Sequence, residues 1–157
     1  MEVDRKQKDE ILAIVPQRYP FRFLDEIVEL NEDTIVGTYR FREDEYFYRG
    51  HFPGYPVTPG VILIEAMAQT GVVAFGIFLL MAQGVTNDRL KKMATLFATA
   101  DNVEFANVVR PGEEVIIRGE KVYFRRGSLK TKVSMEHRNG ESVCSGILSG
   151  KGVIIDE

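Results

Sequence analysis

One cysteine, Cys144, stands in 157 residues. A single thiol cannot close an internal disulfide, so nothing calls for an oxidising compartment. No CxxC or HExxH spacing occurs, which argues against a built metal site. Histidine is scarce: His51 and His137 are the two present. Basic charge is not in excess either. Twenty Lys and Arg against 23 Asp and Glu leave a net charge of −3, unlike a bulk nucleic-acid binder. The opening MEVDRKQKDE lacks the apolar run of a signal peptide, so a cytoplasmic location is expected.

What is present suits one domain over residues 1–157, with 45% hydrophobic residues and enough length for a core without metal or disulfide support. From Val61 to Ala82 the chain is apolar apart from Glu65, Gln69, Thr70 and two glycines. That run is long enough to cross a bilayer. A carboxylate near a membrane centre is expensive, however, and no aromatic or basic belt flanks both ends. A helix wrapped on all sides by protein explains the pattern better, and no membrane association is expected.

Residues 8–14 read as a short amphipathic helix that Pro16 and Pro20 bring to an end. Strand character runs over 21–30 and 34–42, with a turn at 31–33 between them. A loop with three prolines fills 43–60. The long helix then runs to a glycine stop near Gln83-Gly84. After a polar link at 85–92, strands are expected over 94–106, 113–124, 128–137 and 142–154. Arg138-Asn139-Gly140 marks the last hairpin. Two strands, one apolar helix and four strands imply an α+β domain, an antiparallel sheet of about six strands wrapped around one central helix.

Within this layout, HFPGYPVTPGVILIEAMAQ (residues 51–69) concentrates the chemistry. Pro53, Pro56 and Pro59 hold the residues before them extended, so the loop is stiff. Thr58 suits a helix N-cap and Pro59 the first helical position. The N–H groups that follow, on Gly60 and Val61, lack internal partners and carry partial positive charge. They suit a carbonyl oxygen that becomes an oxyanion. Glu65 lies five residues past Gly60, about 7–8 Å along the axis. Gln69 is one turn later on the same face. A carboxyl group in apolar surroundings is pushed towards its protonated form, which makes Glu65 a candidate acid. His51 is the candidate base. Such a set suits proton abstraction beside a carbonyl with loss of a leaving group, and equally hydrolysis or isomerisation. Each residue also has a structural reading: a solvated loop histidine, a glutamate paired with an arginine, prolines and Gly60 as turn formers. Cys144 reads as a strand residue and His137 as a neighbour of the last turn.

GHFPGYPVTPGVILIEAMAQ, residues 50–69, resembles the signature of FabZ-type 3-hydroxyacyl-[acyl-carrier-protein] dehydratases, approximately GHFPGxPVMPGVLxxEAMAQ. RYPF at 18–21, Asp25 and DNVEFANVVRPGEEV at 101–115 are similar to further segments of that family. The resemblance implies the hotdog fold and dehydration of a 3-hydroxyacyl thioester on acyl carrier protein to the trans-2-enoyl thioester. It implies His51 as the base at C2 and Glu65 as the acid for the 3-hydroxyl, the two coming from different subunits of a dimer. Gly60 would donate to the thioester carbonyl, Val57 would orient the histidine through its carbonyl, and Gln69 would partner the acid. No metal or organic cofactor is implied. Trimers of dimers are common in the family. Glu65 favours the FabZ type over FabA-type relatives, which carry Asp there.

Two positions depart from the pattern: Gln17 stands where the family usually has His, and Thr58 where it usually has Met. Gln17 leaves open a housekeeping enzyme or a paralogue serving a specialised acyl chain. A hotdog acyl-thioesterase and a non-catalytic carrier-binding subunit are the alternative functions. Arg89, Lys91, Lys92, Arg125, Arg126, Lys130 and Lys132 are the candidate contacts for an acidic carrier protein.

Overall fold

Asp4 starts the first helix. Its side chain accepts the Gln7 N–H at 2.9 Å, so α1 spans Arg5–Ile14 and begins earlier than the apolar periodicity indicates. In this computed structural model residues 2–155 are described. Ile11 and Ile14 bury one face of α1. The first hairpin is β1 (Glu26–Leu30) and β2 (Thr34–Arg40), both shorter than expected. Residues 21–25 lie before β1 because Gln69 takes up the backbone of Phe21 and Phe23 (below). The proline loop contains one 3-10 turn, Tyr46–Arg49.

The central helix, α2, spans Gly60–Ala82, with a π-type stretch over Gln69–Ala74 in which every residue is buried. Thr131 donates its hydroxyl to the Gly71 carbonyl at 2.8 Å within that stretch. Side chains inserted into the hydrogen-bond ladder are a known companion of such bulges. The expected polar link carries a short helix, α3 (Asn87–Leu90), capped by Thr86.

Four long strands follow: β3 (Met93–Phe105), β4 (Glu114–Arg125), β5 (Ser128–His137) and β6 (Ser142–Ile154). They join the first hairpin in one six-stranded sheet, with order β1-β2-β4-β5-β6-β3 and every pair antiparallel. The sheet packs on α2, and 78% of the apolar stretch of that helix is buried. A helix with apolar residues on all sides needs such a wrapping. The core has two parts. Phe23, Phe41 and Ile117 pack with Met67 of the first half of α2, and Leu24 and Leu129 with Phe75 of the second. β3 pairs only with β6, so it forms an open edge carrying exposed Leu96, Phe97 and Phe105.

Candidate active site

The loop before α2 closes on itself through backbone bonds. Val57 N–H donates to the His51 carbonyl at 2.9 Å, and Phe52 and Tyr55 exchange N–H···O bonds at 3.1 and 2.9 Å. The His51 ring stacks on Phe52 at 4.2 Å between centroids. Its Nδ1 lies 2.8 Å from the Val57 carbonyl oxygen. A carbonyl can only accept, so Nδ1 carries the proton and donates it. In the neutral ring, Nε2 is then left with its lone pair, the form a base requires.

Behind the loop a buried polar cluster fixes the chain that delivers His51. Glu45 is 2% exposed. It accepts from the Tyr39 hydroxyl at 2.5 Å and from Arg42 at 2.7 Å. Burial beside this carboxylate pushes the Tyr39 phenol far above its ordinary value. The sequence offered little signal for this cluster beyond an acid flanked by aromatic residues.

Thr58 does not cap the helix. Its hydroxyl bonds the Tyr48 hydroxyl at 2.7 Å, and its N–H donates to Val109 at 2.8 Å. Pro59 takes the cap position instead, its carbonyl accepting from Ile62 at 2.9 Å and Leu63 at 3.2 Å. The N–H groups of Gly60 and Val61 have no acceptor among the described residues. Val61 is 73% exposed. A side chain at Gly60 would be crowded: a Cβ there would meet the Phe105 ring at 3.0 Å, and the ring would have to shift. Phe105 of β3 therefore stands directly against the helix start.

Glu65 is half-buried on the next turns of α2. Desolvation raises its carboxyl pKa above the ordinary range, and a hydrogen bond from Gln69 offsets part of that rise. The Gln69 amide is fully buried. Its Nε2 donates to Glu65 Oε2 at 2.8 Å and to the Phe21 carbonyl at 2.9 Å, and its Oε1 accepts the Phe23 N–H at 2.7 Å. Each end of the amide is thus assigned by a backbone group. Gln69 both aims the carboxyl and ties the chain before β1 to the helix.

A cavity of about 20 Å³ adjoins Glu65, with Gln17, Val72, Thr95 and Phe97 in its walls. Among the described residues no hydrogen bond or ion pair joins His51 to Glu65, and His51 does not line this cavity. Within one chain His51 and Glu65 are separate groups, each with its own hydrogen-bond partner. Cys144 is buried against Met67, and burial pushes its thiol up to about 12, which disfavours the thiolate. His137 lies at the end of β5, near Val108 and Glu113. Among the described residues no group of acids, cysteines and histidines could hold a metal ion.

Comparison with known proteins adds an independent line. A FabA-like domain matches residues 15–146. The 3-hydroxyacyl-[acyl-carrier-protein] dehydratase FabZ of Caldicellulosiruptor bescii is 38% identical over 141 residues, covering 89% of this chain and 94% of the relative. The FabZ of Geobacter metallireducens is 41% identical over 120 residues, covering 76% and 75%. Among solved structures, the dehydratase heterocomplex ApeI:P from Xenorhabdus doucetiae aligns with a TM-score of 0.74 at 13% identity, over 90% of this chain and 89% of that one. A thioesterase from Haemophilus influenzae aligns at 0.54 and 18% identity, over 84% and 80%. At such identities the structural likenesses establish the hotdog fold, and two different activities share it.

Proposed function

The chain belongs to the FabA-like domain family, with FabZ dehydratases as its relatives, and on that premise we propose that it dehydrates (3R)-hydroxyacyl thioesters on acyl carrier protein. His51 Nε2 removes the proton at C2. Negative charge that develops on the thioester oxygen is met by the Gly60 and Val61 N–H groups at the start of α2. Glu65 protonates the 3-hydroxyl, the C3–O bond breaks, and the trans-2-enoyl thioester and water leave. The imidazolium and the carboxylate then return to their starting states by exchanging a proton through solvent.

The hydrogen bond from His51 Nδ1 to the Val57 carbonyl carries this reading, because it sets the tautomer that abstraction at C2 needs. A thioesterase that activates water with a helix carboxylate has no use for that histidine. It would also need Glu65 ionised, against the direction in which burial moves it.

The assembly proposed is a homodimer in which His51 of one protomer meets Glu65 of the other. Support comes from β3. This open edge carries exposed Leu96, Phe97 and Phe105, touches the helix start through Phe105 and the Glu65 cavity through Phe97. An unpaired strand with apolar side chains is a ready template for a second copy.

The test is incubation of purified protein with a 3-hydroxyacyl thioester on acyl carrier protein, followed by mass spectrometry. Loss of water to the enoyl product is the expected result. Release of the free acid would assign a thioesterase instead, and an unchanged thioester across chain lengths would refute the enzymatic reading.

A further inference from the structure

Gln17 has one feature that ordinary lining residues lack. Its Oε1 is buried and has no hydrogen-bond partner among the described residues. A buried acceptor without a donor is costly, so its position favours a bound group that supplies one. Gln17 is one of the residues that wall the Glu65 cavity. Apart from Gln17, Glu65 and Thr95, that wall is Ala68, Val72, Val73, Phe97 and Gly150. Gly150 allows the close approach: a Cβ there would meet Val72 and Thr95, each at 2.8 Å. A volume of about 20 Å³ is room for one water molecule and little more.

The segment bearing Gln17 is held in place from both sides. Arg18 donates to the carbonyls of Val15, Ala13 and Gln17. Phe21 N–H donates to the Arg18 carbonyl at 2.8 Å. The amide of Gln69 grips Phe21 and Phe23 while also holding Glu65. Gln69 thus holds Glu65 and the chain a few residues beyond Gln17, and Gln17 and Glu65 line the same small space.

We propose that Gln17 receives the leaving group: its Oε1 accepts the hydrogen of the 3-hydroxyl while Glu65 protonates the oxygen, and their shared cavity holds the departing water. This rests on the dehydratase reading above. The C3–O electron pair leaves with the oxygen, the C2–H pair becomes the double bond, and the C2 proton goes to His51. Gln17 transfers nothing. It orients the hydroxyl so that a lone pair faces the Glu65 proton, and then gives the new water an acceptor.

Steady-state dehydration by Gln17→Met and Gln17→Glu tests it, alongside thermal melting. Met matches glutamine in length without the oxygen, whereas Glu keeps an acceptor there. The expected result is a fall in kcat of roughly tenfold to a hundredfold for Met, with KM little changed and substantial activity retained in Glu. Unchanged kcat in Met, or a loss confined to KM, would overturn the proposal and leave Gln17 as chain lining. Should Met not fold, Gln17→Asn and Gln17→His provide the comparison. Asn withdraws the acceptor by one methylene and should lose kcat, whereas His offers a ring nitrogen and should keep it; equal kcat in both overturns the proposal. A wild-type protein inactive on every hydroxyacyl thioester would instead refute the dehydratase reading itself.

Discussion

Glu65 holds its proton above the ordinary carboxylate range because burial disfavours the anion. Its folded pKa exceeds the unfolded one, so the stability it contributes is complete below the ordinary value of 4.5 and is lost as pH rises through the folded value. Glu65→Gln cannot ionise. It should therefore melt higher than wild type in alkaline buffer and lose that advantage in acid, while dehydration falls roughly 10²–10⁴-fold. Melting curves at several pH values beside turnover check both parts. The same ionisation should end wild-type activity on the alkaline side. Gln69 behaves differently, because it satisfies the carbonyl of Phe21 and the N–H of Phe23. Gln69→Leu leaves both unpaired and should cost about 1–3 kcal/mol for each group left buried, read from urea unfolding. His51, Gly60 and Glu65 are legible in sequence because they lie in one contiguous motif. The full role of Gln69 is not, since its backbone partners lie 46 and 48 residues away.

At the scale of elements, α2 shows how little a helix's composition says about its glycines. A Cβ on Gly71 would meet Val133 at 2.5 Å, whereas on Gly76 it would meet only Leu129, at an ordinary 3.8 Å. Gly71→Ala should destabilise by about 1–3 kcal/mol through overpacking. Gly76→Ala should stabilise by up to about 1 kcal/mol through helix propensity. Paired denaturation curves with opposite signs would bear this out, and equal effects would count against the close helix–sheet contact. Both residues look alike in the apolar run, because the space around each belongs to strands read much later in the chain. The strands themselves were legible from alternation and turn residues, to within a residue or two for β3 to β6. β1 starts later than its strand character suggests, since the Phe21 carbonyl and the Phe23 N–H bond the side chain of Gln69 rather than a neighbouring strand.

For the whole molecule, the proposed dimer is what would bring His51 to Glu65. His51→Ala and Glu65→Gln should each be inactive alone. If the site is shared between protomers, mixing and reassorting the two should restore about a quarter of wild-type activity, since half the dimers are hybrids with one intact site each. No recovery after verified exchange would place both groups within one chain. Carrier recognition belongs to the same scale. Register pairing sets Arg125 beside Ser128 and Ser128 beside Lys151, while Ile155 N–H donates to the Lys92 carbonyl, so Arg125, Lys151 and Lys92 share one end of the sheet. Reversing Arg125, Arg126 and Lys92 to Glu should raise KM for the carrier-bound substrate and leave a small carrier-free thioester unaffected. What pattern alone carries is local: an apolar helix needing a wrapping, a sheet to supply it, and a motif that sets His51, Gly60 and Glu65 close together in the chain. Tertiary structure alone decided that β3 crosses to the far edge of the sheet, that Thr58 turns to Tyr48 rather than to the helix, and that Gln17 faces Glu65. Periodicity and motif are written between near neighbours, whereas these choices arise from packing between segments that only folding brings together.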